Sequence, residues 1–195
     1  MNKNTPLYVN IVGGKFKGKK LLLPPLESTR STKAILKSSY FNTIQFDIVD
    51  KIFIEVFAGS GSIGLEAISR GAKKAFFIEK NRAAFDILRK NCSSLDRVNC
   101  EAVFGDAFEE LTKIMQKIDE KVYLYFDPPF EIRDGMNDIY QKTFNLLKSL
   151  ETKKVELATF EHMSKISMPR NIGQFQLIKT KTFGNSSITF YSLEE

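Results

Sequence analysis

Glu55-Val-Phe-Ala-Gly-Ser-Gly-Ser-Ile-Gly64 follows an apolar run of strand length and leads directly into a helical pattern. Gly59 and Gly61 allow the backbone to turn tightly and approach a ligand, and Gly64 permits close packing of helix on strand. The helix that starts near Ser62 would direct its first N–H groups toward that ligand. The next strand ends Phe76-Phe77-Ile78-Glu79, about twenty residues on. A carboxylate there only accepts, so it can take one hydrogen bond from each of two vicinal ribose hydroxyls. Gly59, Gly61, Gly64 and Glu79 together also satisfy the dinucleotide fingerprint. The fragment alone therefore leaves open which adenosine-containing cofactor binds.

Outward from this loop, strand-like apolar runs recur at 52–57, 74–78, 99–104, 121–126 and 154–160, separated by helical patterns at 62–71, 81–95, 107–118 and 136–150. Strand alternating with helix predicts a parallel sheet with right-handed crossovers. The tail departs from this rhythm: 174–181 and 187–193, joined through Gly184-Asn185, read as an antiparallel hairpin at one sheet edge. Ahead of the alternating region, Tyr8 to Leu23 reads as two strands around Gly13-Gly14, with Phe16 opposite Lys15, Lys17 and Lys19. Pro24-Pro25 stops that ribbon. Residues 28–44 then read as an amphipathic helix with Ile35, Leu36, Ser39 and Tyr40 in phase.

The 195 residues fit one domain of ordinary size, and 43% hydrophobic content supplies a sizeable core. A net charge of +6 suits a polyanionic partner without requiring one. Cys92 and Cys100 lack CxxC spacing and His162 is the sole histidine, so a zinc site or a histidine triad has almost no material. No metal is expected. The first eight residues carry no apolar signal core and no apolar run could span a membrane, so a cytoplasmic protein is expected.

Glu55, Glu79 and Asp106 all fall at carboxyl ends of predicted parallel strands, where open α/β sheets bind ligands. Walls of carboxylate repel a pyrophosphate but tolerate a sulfonium and an ammonium. Asp106, within Phe104-Gly105-Asp106-Ala107, could accept from an adenine amine, cap the following helix, or do both. A further strand runs into Asp127-Pro128-Pro129-Phe130. The prolines fix their own φ and leave carbonyl acceptors exposed, while Asp127 adds another acceptor. Two acceptors can hold the two donors of a planar exocyclic amine and stabilise the positive charge that grows during alkylation. Phe130 offers a face for base stacking, worth about 1–3 kcal/mol.

With these residues in hand, the chain resembles a class I S-adenosylmethionine methyltransferase. More narrowly, it resembles the RsmD family of 16S ribosomal-RNA guanine-N2 methyltransferases. The resemblance runs from Ile11 to Tyr191 and is carried by Ile11-Val-Gly-Gly-Lys-Phe-Lys-Gly-Lys-Lys20, the stretch from Phe57 to Gly71, and Asp127-Pro-Pro-Phe130. It implies a Rossmann-like fold with a seven-stranded, mostly parallel sheet whose last strand is antiparallel, preceded by the β-ribbon and helix. It implies an RNA-binding appendage over 1–45 and a methyltransferase domain over 46–195. S-adenosyl-L-methionine would be held by Glu55, Phe57, Ala58, Gly59, Ser60, Gly61, Glu79, Lys80, Asp106 and Ala107, with Asp127, Pro128, Pro129 and Phe130 forming the catalytic turn around the guanine. The implied partner is 16S rRNA within the small ribosomal subunit or its precursor, met by a monomer. The family usually has aspartate where Glu55 stands, Arg-Pro-Thr where Arg30-Ser31-Thr32 stands, and Arg-Glu where Lys37-Ser38 stands.

Lys15, Lys17, Lys19, Lys20, Arg30, Lys33 and Lys37 concentrate positive charge ahead of the alternating region. They are read as an arm that grips phosphates and positions RNA without reading its bases; the alternative is a solvated ribbon face. Three other functions fit parts of the sequence. A DNA amino-methyltransferase shares the Asp-Pro-Pro-aromatic turn but usually carries a recognition domain. A nicotinamide-dependent oxidoreductase shares the glycine loop but leaves Asp127 to Phe130 unexplained. A catalytically idle RNA-binding module would not need both motifs.

Overall fold

A computed structural model describes residues 6–24, 30–129 and 136–193. Side-chain alternation along the central strands builds two cores. In β3 (Ile52–Glu55), Phe53 faces one side while Ile52 and Ile54 face the other. In β6 (Val122–Phe126), Tyr123 and Tyr125 oppose Val122, Leu124 and Phe126 in the same way. Strands apolar on both faces must be covered on both, as a parallel sheet in an α/β protein requires. Helices α1 (Arg30–Thr43), α2 (Ser62–Ser69) and α3 (Arg82–Leu95) supply residues to the Phe53 core. Helices α4 (Ala107–Gln116) and α5 (Met136–Ser149) supply the other.

Strands β4 (Lys74–Glu79) and β6 flank β3 in parallel, with β5 (Cys100–Phe104) beyond β4 and β7 (Val155–Met163) beyond β6. The tail hairpin, β9 (Phe175–Phe183) and β10 (Ser186–Leu193), inserts β10 against β7, antiparallel to both neighbours. β9 therefore runs with the parallel set, and among β3–β7, β9 and β10 the last strand is the one that opposes the others, while a short margin strand is antiparallel to β9. These are the seven expected strands. A two-residue strand β8 (Asn171–Ile172) adds to the margin, giving the order β5-β4-β3-β6-β7-β10-β9-β8. Because the chain crosses from β5 back to β6, strand order reverses between β3 and β6.

The amino-terminal ribbon is shorter than expected. β1 (Leu7–Asn10) and β2 (Lys20–Leu23) pair antiparallel from Leu7↔Leu23 to Asn10↔Lys20. Lys15 to Lys19 is not a strand: Lys17 N donates to Gly14 O at 3.2 Å and Lys19 N to Phe16 O at 3.0 Å, closing tight turns. The amides nearby are taken by α2 rather than by a partner strand. Lys15 N donates to Ser69 O at 2.6 Å, Phe16 N to Ser69 Oγ at 2.9 Å, and Val12 N and Gly13 N each to the Glu66 carboxylate at 2.8 Å. Lys15, Lys17, Lys19 and Lys20 are nonetheless all exposed.

Ile11, Leu21, Leu36, Tyr40 and Phe41 join the same buried cluster as Phe53, Leu65 and Tyr125, so the ribbon and α1 pack on the sheet's own core. Ile35 departs from the expected apolar stripe and is exposed. It sits about 100° around the helix from Leu36, past the edge of the buried face.

Candidate active site

The reversal of strand order brings Glu55, at the end of β3, beside Asp127, just past β6. Ligands of α/β sheets bind at such a switch point. Glu55 is 4% exposed. Its Oε1 accepts from Ile63 N at 3.3 Å and its Oε2 from Gly64 N at 2.8 Å. The N-cap of α2 is Gly61, with φ 79° and no side chain to offer, so Glu55 does the capping from the neighbouring strand. Burial pushes its carboxyl well above the ordinary range, against the pull of the two amides. This corrects one expectation: the amides of Ile63 and Gly64 are not free for a ligand. Glu55 lines the site while it caps the helix. Close packing at Gly64 is as expected, since a Cβ there would strike the Phe77 ring.

Glu79, ending β4, accepts from Gly59 N at 2.8 Å through Oε2 and from Asn81 N at 2.6 Å through Oε1. Each oxygen retains a second acceptor position. The carboxylate thus fixes the glycine loop and still presents acceptors. Asp106 caps α4, accepting from Phe108 N at 2.9 Å, and its other oxygen lies 3.7 Å from Lys80 Nζ. Capping is therefore one of its roles.

Two cavities meet here. The larger, about 290 Å³, is lined by Phe57, Gly59, Glu79, Lys80, Asp106, Ala107, Asp127 and Pro129, among others. The smaller, about 90 Å³, is lined by Val9, Leu36, Lys37, Glu55, Phe57, Ala58, Gly59, Ser60, Asp127 and Glu161, among others. Asp127, Phe57 and Gly59 border both. Pro128 is buried and Pro129 exposed, so the turn is anchored on one side and open on the other. Phe130 lies outside the described residues, as do the side chains of Arg30 and Lys33.

Lys37 is the clear departure among the expected RNA contacts. It is 2% exposed, donates from Nζ to Asn10 O at 2.9 Å, and stands 3.5 Å from Glu66 Oε2. A phosphate backbone cannot reach a cation held under the ribbon. The helical phase that buries Leu36 and Tyr40 carries Lys37 inward with them.

Several residues of the site went unread in the sequence. Glu66, fully buried, gathers Val12 N, Gly13 N, Arg70 Nε and Lys37. Asn91 accepts from Leu22 N at 2.9 Å and donates to Leu22 O and Ser60 O, both at 2.9 Å, tying the ribbon to the glycine loop. Glu161, on β7, accepts from Tyr125 Oη at 2.8 Å and borders the smaller cavity. The available signal was a polar residue within an otherwise apolar segment: Glu66 in Ile63 to Ile68, and Glu161 after Ala158-Thr-Phe160. Such a residue needs buried partners.

His162 is structural. Its ring nitrogens lie 3.0 Å from Met163 O and 2.8 Å from Thr189 Oγ1, and burial lowers its pKa from the ordinary 6.5. The folded state thus favours the neutral ring. Its contribution to stability is present above about pH 6.5 and is lost as pH falls through the depressed folded value. Urea melts from pH 7.5 to 5 should show less loss of stability in His162→Gln than in the unaltered chain; parallel profiles would exclude the effect.

The reversed last strand, the glycine loop at the switch point and the carboxylates around two joined cavities define a Rossmann-like methyltransferase. A family model described as conserved hypothetical protein 95 matches residues 9–192. Ribosomal RNA small subunit methyltransferase D of Escherichia coli (strain K12) is 36% identical over 140 residues, covering 72% of this chain and 67% of the relative. The Haemophilus influenzae protein of the same name is 29% identical over 187 residues, covering 94% and 93%. A solved Escherichia coli structure described as a methyltransferase superposes with a TM-score of 0.75 at 30% identity, over 96% of this chain and 98% of that one. The chain belongs to the RsmD family.

Proposed function

We propose that this chain is a ribosomal RNA methyltransferase that moves a methyl group from S-adenosylmethionine to the exocyclic N2 of a guanine in 16S rRNA. Its substrate is the small subunit or an assembly intermediate, met by a cytoplasmic monomer. The observation that carries the reading is the position of Asp127 on the border shared by the two cavities. An acceptor there can hold an amine beside a donor that spans both.

The residues suit that donor. Glu79 offers acceptors to a ribose at the far end of the larger cavity, and Asp106 with Ala107 borders the place of an adenine. The carboxylates favour a sulfonium over a pyrophosphate, which argues against a nicotinamide dinucleotide. Bound there, S-adenosylmethionine supplies an electrophilic methyl group. Asp127 and the carbonyls of the proline turn accept from the two N–H bonds of the amine, orient its lone pair, and offset the positive charge that develops as the N–C bond forms and the C–S bond breaks. The surplus amine proton then leaves through the Asp127 carboxylate to solvent, and a neutral thioether is the leaving group. Phe130 would support the base from its face. Glu55 keeps the glycine loop and α2 in register beneath the donor.

The guanine N2 target and the ribosomal substrate follow the family likeness and the names of the relatives. Incubating the chain with labelled donor and naked rRNA, small subunits or DNA, then mapping the product base, tests all of it. Label on guanine N2 of 16S rRNA is the expected result; label on DNA, or none, would overturn the reading.

Residues 1–45 are proposed to act as the RNA-binding appendage, with the exposed Lys15, Lys17, Lys19 and Lys20 and with Arg30 and Lys33 gripping phosphate. Replacing Lys15, Lys17 and Lys19 together by alanine should weaken RNA binding and reduce the slope of log K against log salt by about 2–3. Donor affinity should be unchanged. A filter-binding titration that returns the original slope would remove these lysines from the interface.

A further inference from the structure

We infer that helix α3 carries a second phosphate-binding track, centred on Arg89 and Lys90, along which the RNA flanking the target nucleotide is held. This rests on the RNA reading above and extends the contact beyond residues 1–45. One side of the helix, with Phe85, Leu88, Cys92 and Leu95, is buried in the Phe53 core. On the other side Arg82, Asp86, Arg89 and Ser93 recur at helical spacing, with Lys90 next to Arg89. Asp86, Arg89, Lys90, Ser93 and Ser94 line an open depression of about 610 Å³. Arg89, Lys90 and Ser93 are exposed.

Charge decides the partner. The outer face of α3 sets three cations against one carboxylate, and Asp86 is engaged by Arg82, whose Nε lies 3.4 Å from its Oδ1. Arg89 and Lys90 have no ion-pair partner among the described residues. Helix α4 is balanced instead: Glu109 and Glu110 accompany Lys113 and Lys117, and Lys113 Nζ lies 2.7 Å from Glu110 Oε1. An unbalanced cationic face attracts a polyanion. Guanidinium, ammonium and the Ser93 hydroxyl are the donors that phosphate oxygens take.

Placement ties this face to the same ligand. Asn81, the N-cap of α3, borders the larger cavity. Arg89 and Lys90 stand eight and nine residues further on, about 12–14 Å along the helix axis. The ribbon is fastened to the flank of α3 through Leu22 and Asn91, and Lys15 lies close enough for its charge to act on Asp96 at the C-cap. The cations of α3 and the ribbon lysines therefore lie side by side, both leading away from the cavity. RNA with a base at Asp127 and phosphates at the ribbon would run along both. The competing role is a solvated helix face that touches no partner.

Filter-binding titrations over a range of salt, with naked 16S rRNA and with small subunits, separate the two. Arg89→Ala/Lys90→Ala should reduce the slope of log K against log salt by about 1.4–1.8, as two lost phosphate contacts require. Lys113→Ala/Lys117→Ala removes the same charge from α4, which packs on the other face of the sheet, and should leave the slope unchanged. Arg89→Lys/Lys90→Arg should keep it, and donor affinity should be unchanged throughout. An unaltered slope in Arg89→Ala/Lys90→Ala, or an equal fall in the α4 variant, would make the α3 face a bystander and overturn the inference. Both α3 side chains are exposed and alanine favours a helix, so the variant should fold. Binding of neither rRNA nor subunits by the unaltered chain is a separate failure, which removes the RNA reading itself and this inference with it.

Discussion

Asp127→Ala is expected to lower methyl transfer by about 10²–10³-fold while donor affinity stays within about twofold. The split follows from position. Asp127 borders both cavities, but the donor's ribose and adenine would be held at Glu79 and Asp106, on other strands. Removing the carboxylate therefore takes away an interaction that grows as the amine becomes positive, more than one that holds the ground state. Asp127→Asn should recover part of the rate, because it keeps an acceptor and loses the charge. Single-turnover assays with saturating donor measure the step directly. Turnover of Asp127→Ala within tenfold of the unaltered chain would end the proposal of an acceptor clamp.

The second large effect is on stability. Glu66→Leu is expected to cost about 3–5 kcal/mol, because it leaves two cations and two amides without their acceptor in a fully buried place. For a chain of this size that is a fall in Tm of roughly 6–20 °C. Glu66→Gln keeps an oxygen for one or two of the donors and should fall between. Calorimetric melts of the three proteins check the order, and a Leu variant within 2 °C of the unaltered chain would show the network to be dispensable. The ribbon should loosen first. Its turn is held to α2 by Glu66 and Ser69, whereas β3 to β7 are held by the sheet.

Much of this was legible in order along the chain. Local rules gave the glycine loop, the strand–helix alternation, the tail hairpin and the acidic residues at strand ends, because each depends on neighbours within about twenty residues. The ribbon was harder. Alternating lysines from 15 to 19 read as a strand, but their backbone follows partners on α2 more than fifty positions away. A pattern of side chains says nothing about where distant backbone groups will find their hydrogen bonds.

Lys37 and Glu55 mark the same boundary inside the site. In the sequence Lys37 is one more cation in a basic stretch, and Glu55 is a carboxylate at a strand end facing a ligand. The type of each residue, the class of fold and the place of the reaction were determined by the sequence itself, through periodicity and the chemistry of short motifs. Which cation is buried, which carboxylate caps a helix, and how two cavities meet at Asp127 were decided only when β6 was laid beside β3 and α1 over both. Burial and pairing are properties of that assembled geometry, since the cost of holding a charge depends on everything that surrounds it.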